Sequence, residues 1–259
     1  MTTATTSSHA SPPSPDPTLQ FYGDLQRAFD FFNARLFDAA LPPCLLTLRS
    51  ASREFGYHHS DRFIDAQGRL VDELALHPGF FTLRPVEEVL ATLVHEMAHH
   101  WQAHFGRESK SNPHNREWAG KMRELGLQPS STGLPEGRQT GRSMTHYIVP
   151  EGRFIQACRE LLAGGFALRW FDRHAPRTGY DSAKRQQQLR DAGVAVAVSP
   201  EPAHTIKPIS PDVSVVIEPP PARENDRVRY QCPTCDTRAW AKAGTDLRCG
   251  NCDVELISE

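Results

Sequence analysis

Thr92-Leu93-Val94-His95-Glu96-Met97-Ala98-His99-His100-Trp101-Gln102 is the stretch on which the reading of this chain turns. Pro85 precedes it, and proline is well tolerated in the first turn of a helix. From there Val86, Val89, Leu90, Leu93, Val94, Met97, Ala98 and Trp101 recur at helical spacing and form one broad apolar face. With Val86 at 0° and a step of about 100° per residue, that face is centred near 30°. His95 then falls at about 180° and His99 at about 220°, with Glu96 flanking them at about 280°. The helix is thus expected to bury one side and to present His95, His99 and Glu96 to a cleft. On the same wheel His100 and His104 lie off the paired face, which predicts packed or surface histidines rather than ligands.

Residues four apart on a helix share a face, so the imidazoles of His95 and His99 can reach a single ion. His-Glu-x-x-His is the zincin pattern, in which the intervening glutamate serves as general base. A catalytic zinc takes three protein ligands and keeps one position open. Four downstream residues could supply the third: His104, Glu108, His114 and Glu117, with Glu124 a further carboxylate on the following helix. The metzincin arrangement would need Gly at 102 and His at 105, where this chain has Gln102 and Phe105, so that arrangement is excluded. His114 is preferred, because a long loop can return it to the metal and imidazole is the better zinc donor. Glu117 and Glu124 stay open.

Outward from this helix, residues 1–18 are mostly Thr, Ser and Pro, with almost no large apolar residues, and read as a disordered tail. They contain neither a charged start nor an apolar run, so neither a leader nor a membrane anchor is expected, and the expected location is the cytoplasm. Phe21, Leu25, Phe29, Phe32 and Leu36 predict a helix stopped by Leu41-Pro42-Pro43. Cys44–Leu48 and Glu73–Leu76 read as strands, with Gly56 and Gly68 as turns. Helices are expected over Arg116–Leu125, Phe154–Leu162 and Ala183–Arg190, and residues 128–142 read as a loop. The domain carrying the helix pair should span 19–192, followed by a proline-rich linker over 193–226 and a separate module over 227–259.

In that module Cys232-Pro233-Thr234-Cys235 and Cys249-Gly250-Asn251-Cys252 form two C-x-x-C knuckles. Four thiolates at this spacing give a closed tetrahedral zinc site, a zinc ribbon, whose metal supplies the folding energy that so small a core lacks. Cys44 and Cys158 read as inert buried thiols. The expected cofactor is therefore zinc at two sites, one catalytic and one structural.

The formal net charge is −2, which announces neither a nucleic-acid nor a membrane partner. The distribution is less even: residues 21–101 carry 7 basic and 11 acidic side chains, residues 102–190 carry 15 and 8, a hint of an anionic partner.

Residues 92–102 and Asn112-Pro113-His114 resemble the SprT-like family of zinc metallopeptidases, in which the latter histidine matches the third ligand. So do Asn33-x-x-Leu36-Phe37 with Leu41-Pro42, Asp72–Leu76, and Thr140-Gly141-x-x-Met144-Thr145-His146-Tyr147. The resemblance covers about residues 20–175 and includes the terminal module. One departure is Tyr57-His58-His59, where the family would place an aromatic after Gly-Tyr.

The resemblance implies an α+β zincin-like domain with a small sheet beside the metal-site helix. It implies peptide hydrolysis with Glu96 as general base, and Tyr147 or His146 near the developing oxyanion. Glu73 is a candidate to orient a ligand histidine or else a buried structural carboxylate. Eukaryotic relatives are DNA-dependent proteases that clear proteins crosslinked to DNA. DNA is therefore an expected partner beside the protein substrate, and an association with the nucleoid is compatible with it. Arg177, Lys184, Arg185 and Arg190 would contact phosphate, and Trp240 a base. The competing expectation is a non-enzymatic zinc protein that binds nucleic acid or protein in transcription or repair.

Overall fold

The computed structural model describes residues 16–50, 54–109, 111–174, 180–203 and 227–258. The chain is a mixed α+β protein that divides into two compact units, Met1–Pro219 and Pro220–Glu259.

In the first unit, helix α1 (Pro17–Leu36) starts where Asp16 caps the Thr18 and Leu19 N–H groups, with Pro17 in the first turn. Pro17 and Thr18, expected in the tail, are thus helical. Residues 1–15 of that tail lie outside the described residues. The helix ends at Leu36, before the prolines expected to stop it, because Asp38 and Ala39 adopt positive φ. The Asn33 side chain then clamps the turn, donating to the Leu41 carbonyl and accepting from the Leu41 N–H. Leu25, Phe29, Phe32 and Leu36 all point into the core, as their spacing required.

Three strands follow: β1 (Leu45–Leu48), β2 (Gly56–Ile64) and β3 (Leu70–Leu76). β3 is central, parallel to β1 and antiparallel to β2, so β2 is an edge strand. Gly56, expected in a turn, instead opens β2. Helix α2 (Val86–Phe105) crosses this sheet, and its buried residues include Val89, Leu90, Leu93, Val94 and Met97. Arg84 fastens the helix start: its guanidinium is buried, donates to Thr92 Oγ1 at 2.8 Å and stacks over Phe55 at 4.2 Å.

Helix α3 (Arg116–Leu125) is capped by Asn115, which accepts from the Glu117 and Trp118 N–H groups, and ends at Gly126 with φ 86°. A short antiparallel pair, β4 (Leu127–Ser130) and β5 (Thr145–Ile148), was not visible in the sequence, because Pro129 and neighbouring Ser, Thr and Gly residues read as a loop. Helices α4 (Arg153–Ala163) and α5 (Ser182–Asp191) complete the unit. Residues 193–203 do not behave as a linker. Ala203 is buried and its N–H donates to the Arg84 carbonyl, the Ser199 N–H donates to Glu87, and Ala197 and Val198 pack on the core. The rest of the expected linker, 204–226, lies outside the described residues.

The second unit is a three-stranded sheet, β6 (Arg227–Gln231), β7 (Arg238–Lys242) and β8 (Ile257–Ser258), in the order β7-β6-β8. Its core is small: Tyr230, Cys232, Cys249 and Leu256. Among the described residues no helix is long and apolar enough to cross a membrane.

Candidate metal centre and cleft

His95 and His99 project from successive turns of α2, and His114 enters from the loop before α3. Their ring nitrogens lie within 4.8 Å of one another. Each ring is held by its other side. His114 Nδ1 donates to the Gly141 and Arg142 carbonyls, at 3.2 and 3.1 Å, which leaves its Nε2 lone pair free. His95 Nδ1 and His146 Nδ1 are 3.0 Å apart. If His95 carries that proton, its Nε2 is likewise the free donor atom, the arrangement that supports metal-binding histidines in general. His99 stacks on Trp118 with an interplanar angle of 17° and a ring separation of 5.2 Å.

Trp118 is fully buried and also contacts the rings of His95 and His114, so it floors the whole trio. The sequence reading missed it. The available signal was its place four residues after His114, on the first turn of the next helix.

Burial pushes His95 and His99 well below the ordinary histidine range, with neighbouring histidines adding to the effect, and it lowers His114 as well. All three are therefore favoured as neutral imidazoles, the form that binds metal. Burial, with a contribution from Glu54, pushes Glu96 well above the ordinary carboxylate range. Three neutral imidazoles converging beside a carboxyl suit zinc's preference for nitrogen donors.

The competing third ligands are engaged elsewhere. Glu117 accepts from the Gln102 amide and the Arg107 N–H, at 3.0 and 2.6 Å. Glu124 pairs with Lys121 and Arg153, Glu108 accepts from Ser60, and His104 bonds to Asp72.

His95, Glu96, His99 and His114 line one cavity of about 370 Å³, walled by residues 54–58 on one side and 142–146 on the other. Gly56 sits where β2 passes α2. A Cβ there would meet the Ala75 carbonyl at 2.8 Å, Thr92 Cγ2 at 3.1 Å and Glu96 Cγ at 3.2 Å. Gly56→Ala should therefore cost about 1–3 kcal/mol through overpacking and displace Glu96. Urea unfolding checks the first effect, and a change under ~0.5 kcal/mol would show that β2 yields freely.

Three expectations are corrected. Side chains alternate along β5. His146 turns inward to His95, while Tyr147 lines a separate cavity of about 30 Å³ with Arg84, Glu88 and Arg185, away from the histidine trio. Tyr147 is thus not placed to meet an oxyanion in the cleft. Glu73 does not orient a trio histidine, because its buried carboxylate accepts from Thr47, Arg49 and Tyr57. Arg185 is not a free phosphate contact, since its guanidinium donates to the His146 carbonyl. Lys184 and Arg190 are exposed on α5, and Arg177 falls outside the described residues.

In the second unit Cys232, Cys235, Cys249 and Cys252 bring their sulfurs within 4.8 Å of one another. Hydrogen bonds from Thr237 and the neighbouring thiols bring Cys235 down to about 6, while Cys252, hydrogen-bonded to Cys235, is pushed up to about 12. Four sulfurs at this separation can converge on one cation. Cys44 is pushed up to about 12 by burial, and Cys158 is raised for the same reason, as inert thiols would be.

A helix-borne histidine pair, a third histidine from a loop and a glutamate thus share one cleft of a mixed α+β domain. A model of the SprT-like family matches residues 25–139, a span that includes all three histidines and Glu96. An uncharacterized protein in the mucB 3' region of Salmonella typhimurium is 49% identical over 59 residues, which are 22% of this chain and 80% of that protein. No solved structure matches. The chain belongs to the SprT-like family, which is associated with zinc metallopeptidase-like proteins.

Proposed function

We propose that this chain is a zinc metallopeptidase that acts on proteins held on DNA. The observation that carries the first half is the convergence of His95, His99, His114 and Glu96 on one open cleft. His95, His99 and His114 would hold the ion, which when bound would supply Lewis acidity to polarise a scissile carbonyl and acidify a water. Glu96 stands in the same cleft to take the proton of that water and deliver it to the leaving amine. His146 fixes the ring of His95, and the Gly141 and Arg142 carbonyls fix His114. The edge of β2 offers unpaired backbone groups along the cleft wall, so an extended peptide can add to it as a strand.

The second half rests on the terminal unit, read here as a zinc ribbon. Its 33 positions look electrically neutral in the sequence, yet pairing of β6 with β7 sorts them. Arg227 lies opposite Lys242, Arg229 opposite Trp240 and Gln231 opposite Arg238. Trp240, 60% exposed, is thereby set among four cationic side chains, a combination suited to stacking a base and neutralising phosphates.

The test is hydrolysis of an unstructured protein by the full chain, with and without single-stranded DNA, alongside metal analysis of wild type and His114→Ala. Chelator-sensitive hydrolysis, stimulated by DNA and lost with one zinc in His114→Ala, is the expected result. Trp240→Ala should weaken DNA binding by about 5- to 150-fold, from ~1–3 kcal/mol of stacking. Hydrolysis without salt-sensitive DNA binding would remove the DNA half. DNA binding by a zinc-loaded chain that hydrolyses nothing would leave a binding protein.

A further inference from the structure

Helix α2 carries a second pair of histidines four apart, His100 and His104, outside the cleft trio. Both converge with His58 of β2 on one carboxylate oxygen of β3. Asp72 Oδ2 lies 2.8 Å from His58 Nε2, 2.8 Å from His100 Nδ1 and 3.0 Å from His104 Nε2. The other oxygen, Oδ1, accepts from the Asp61 N–H at 3.0 Å. His100 is completely buried and the Asp72 side chain is 2% exposed.

The hydrogen bonding of His100 decides what this cluster offers. Its Nε2 is 2.9 Å from the Pro42 carbonyl, which can only accept, so Nε2 carries a hydrogen. A neutral ring then turns the lone pair of Nδ1 towards Asp72 Oδ2, also a lone-pair bearer. Two such atoms at 2.8 Å require a positive charge between them, either a proton or a metal ion. A ligand histidine whose far nitrogen donates to a backbone carbonyl is the usual support around a bound metal. Burial lowers His58 and so favours its neutral, ligating form. Tetrahedral zinc spaces nitrogen and oxygen donors by about 3.3 Å, given bonds of roughly 2.0–2.1 Å. The donor atoms of His58, Asp72 and His100 lie within 4.8 Å of one another, close enough to be drawn onto one ion.

We propose that His58, Asp72 and His100 form a further site for a divalent transition metal, with zinc the best match to two imidazoles and one carboxylate, and with His104 supporting it from the rim through its bond to the Asp72 carboxylate. The site joins β2 and β3 to α2 immediately behind the cleft, through His58, Asp72 and His100, so its role is structural. It also accounts for His58, the residue that stands where an aromatic would be expected. The proposal does not depend on peptidase activity.

The test counts zinc in the full-length protein by elemental analysis after dialysis against a weak chelator. Wild type is expected to hold three zincs, and His114→Ala and Asp72→Asn two each, with the double variant holding one. Because Asp72→Asn could disturb folding, His104→Gln provides a milder probe at a side chain that is 37% exposed. It should retain the native circular dichroism spectrum and lose the third zinc at a chelator strength about 10- to 100-fold lower. Two zincs in wild type, with the count unchanged in Asp72→Asn and His104→Gln, would overturn the proposal and leave the cluster a proton-linked strut. A third zinc that survives both variants would overturn it as well, by placing that ion elsewhere.

Discussion

Glu96→Gln should lower peptide hydrolysis by about 10²- to 10⁴-fold, the usual worth of a positioned general base, while leaving the zinc content intact. The amide is nearly the size of the carboxyl it replaces but cannot take up a proton. Burial already disfavours the charged form of Glu96, so removing that charge should not unfold the chain. Among the described residues no hydrogen bond joins Glu96 to any of the three histidines, and their supports, His146, Gly141 and Arg142, are untouched by the change. Activity measured beside elemental analysis and thermal unfolding separates the cases. A loss of zinc together with activity would mean that Glu96 supports the metal. Full activity with full zinc would remove the general-base role and, with it, the proposed mechanism.

The second large effect belongs to the terminal unit. Cys249→Ser, or chelation of the wild type, should unfold residues 227–258 while the larger unit keeps its secondary structure. The physical reason is size. Tyr230, Cys232, Cys249 and Leu256 are the buried residues of that unit, and two of the four are the cysteines themselves. A core so small cannot offset the ordering entropy of some thirty residues, whereas a structural zinc in such a module is worth about 10–16 kcal/mol. By contrast the larger unit buries the aromatic and aliphatic faces of α1, α2, α3 and α4 together and does not need that metal. Loss of amide dispersion confined to residues 227–258, restored by zinc, is the expected NMR result. A chelated chain whose terminal signals stay dispersed would show that the sheet stands without an ion.

Some of this could be read directly from residue order. The helical phase of His95 and His99 follows from 3.6 residues per turn, and the two cysteine knuckles follow from local spacing. The helix boundaries at Asn115 and Gly126 follow from capping chemistry that acts within a turn. Even there the wheel was incomplete. It placed His100 off the paired face correctly but could not say that Asp72 would meet it, because that contact joins residues 28 apart.

What the sequence alone determined was the set of local devices: the histidine pair with its glutamate, the cysteine pairs, the caps and the apolar stripes. Which distant groups those devices meet was decided only by the tertiary structure. Folding brought His146 to His95 and turned Tyr147 to the other face, spent Arg185 and Glu73 on internal partners, and set Trp118 beneath three imidazoles. It also gathered the cations of β6 and β7 around Trp240. Local spacing fixes the direction of a side chain relative to its own helix or strand. The partner at the end of that direction depends on how separate elements pack, and packing is settled by the burial of the whole chain at once.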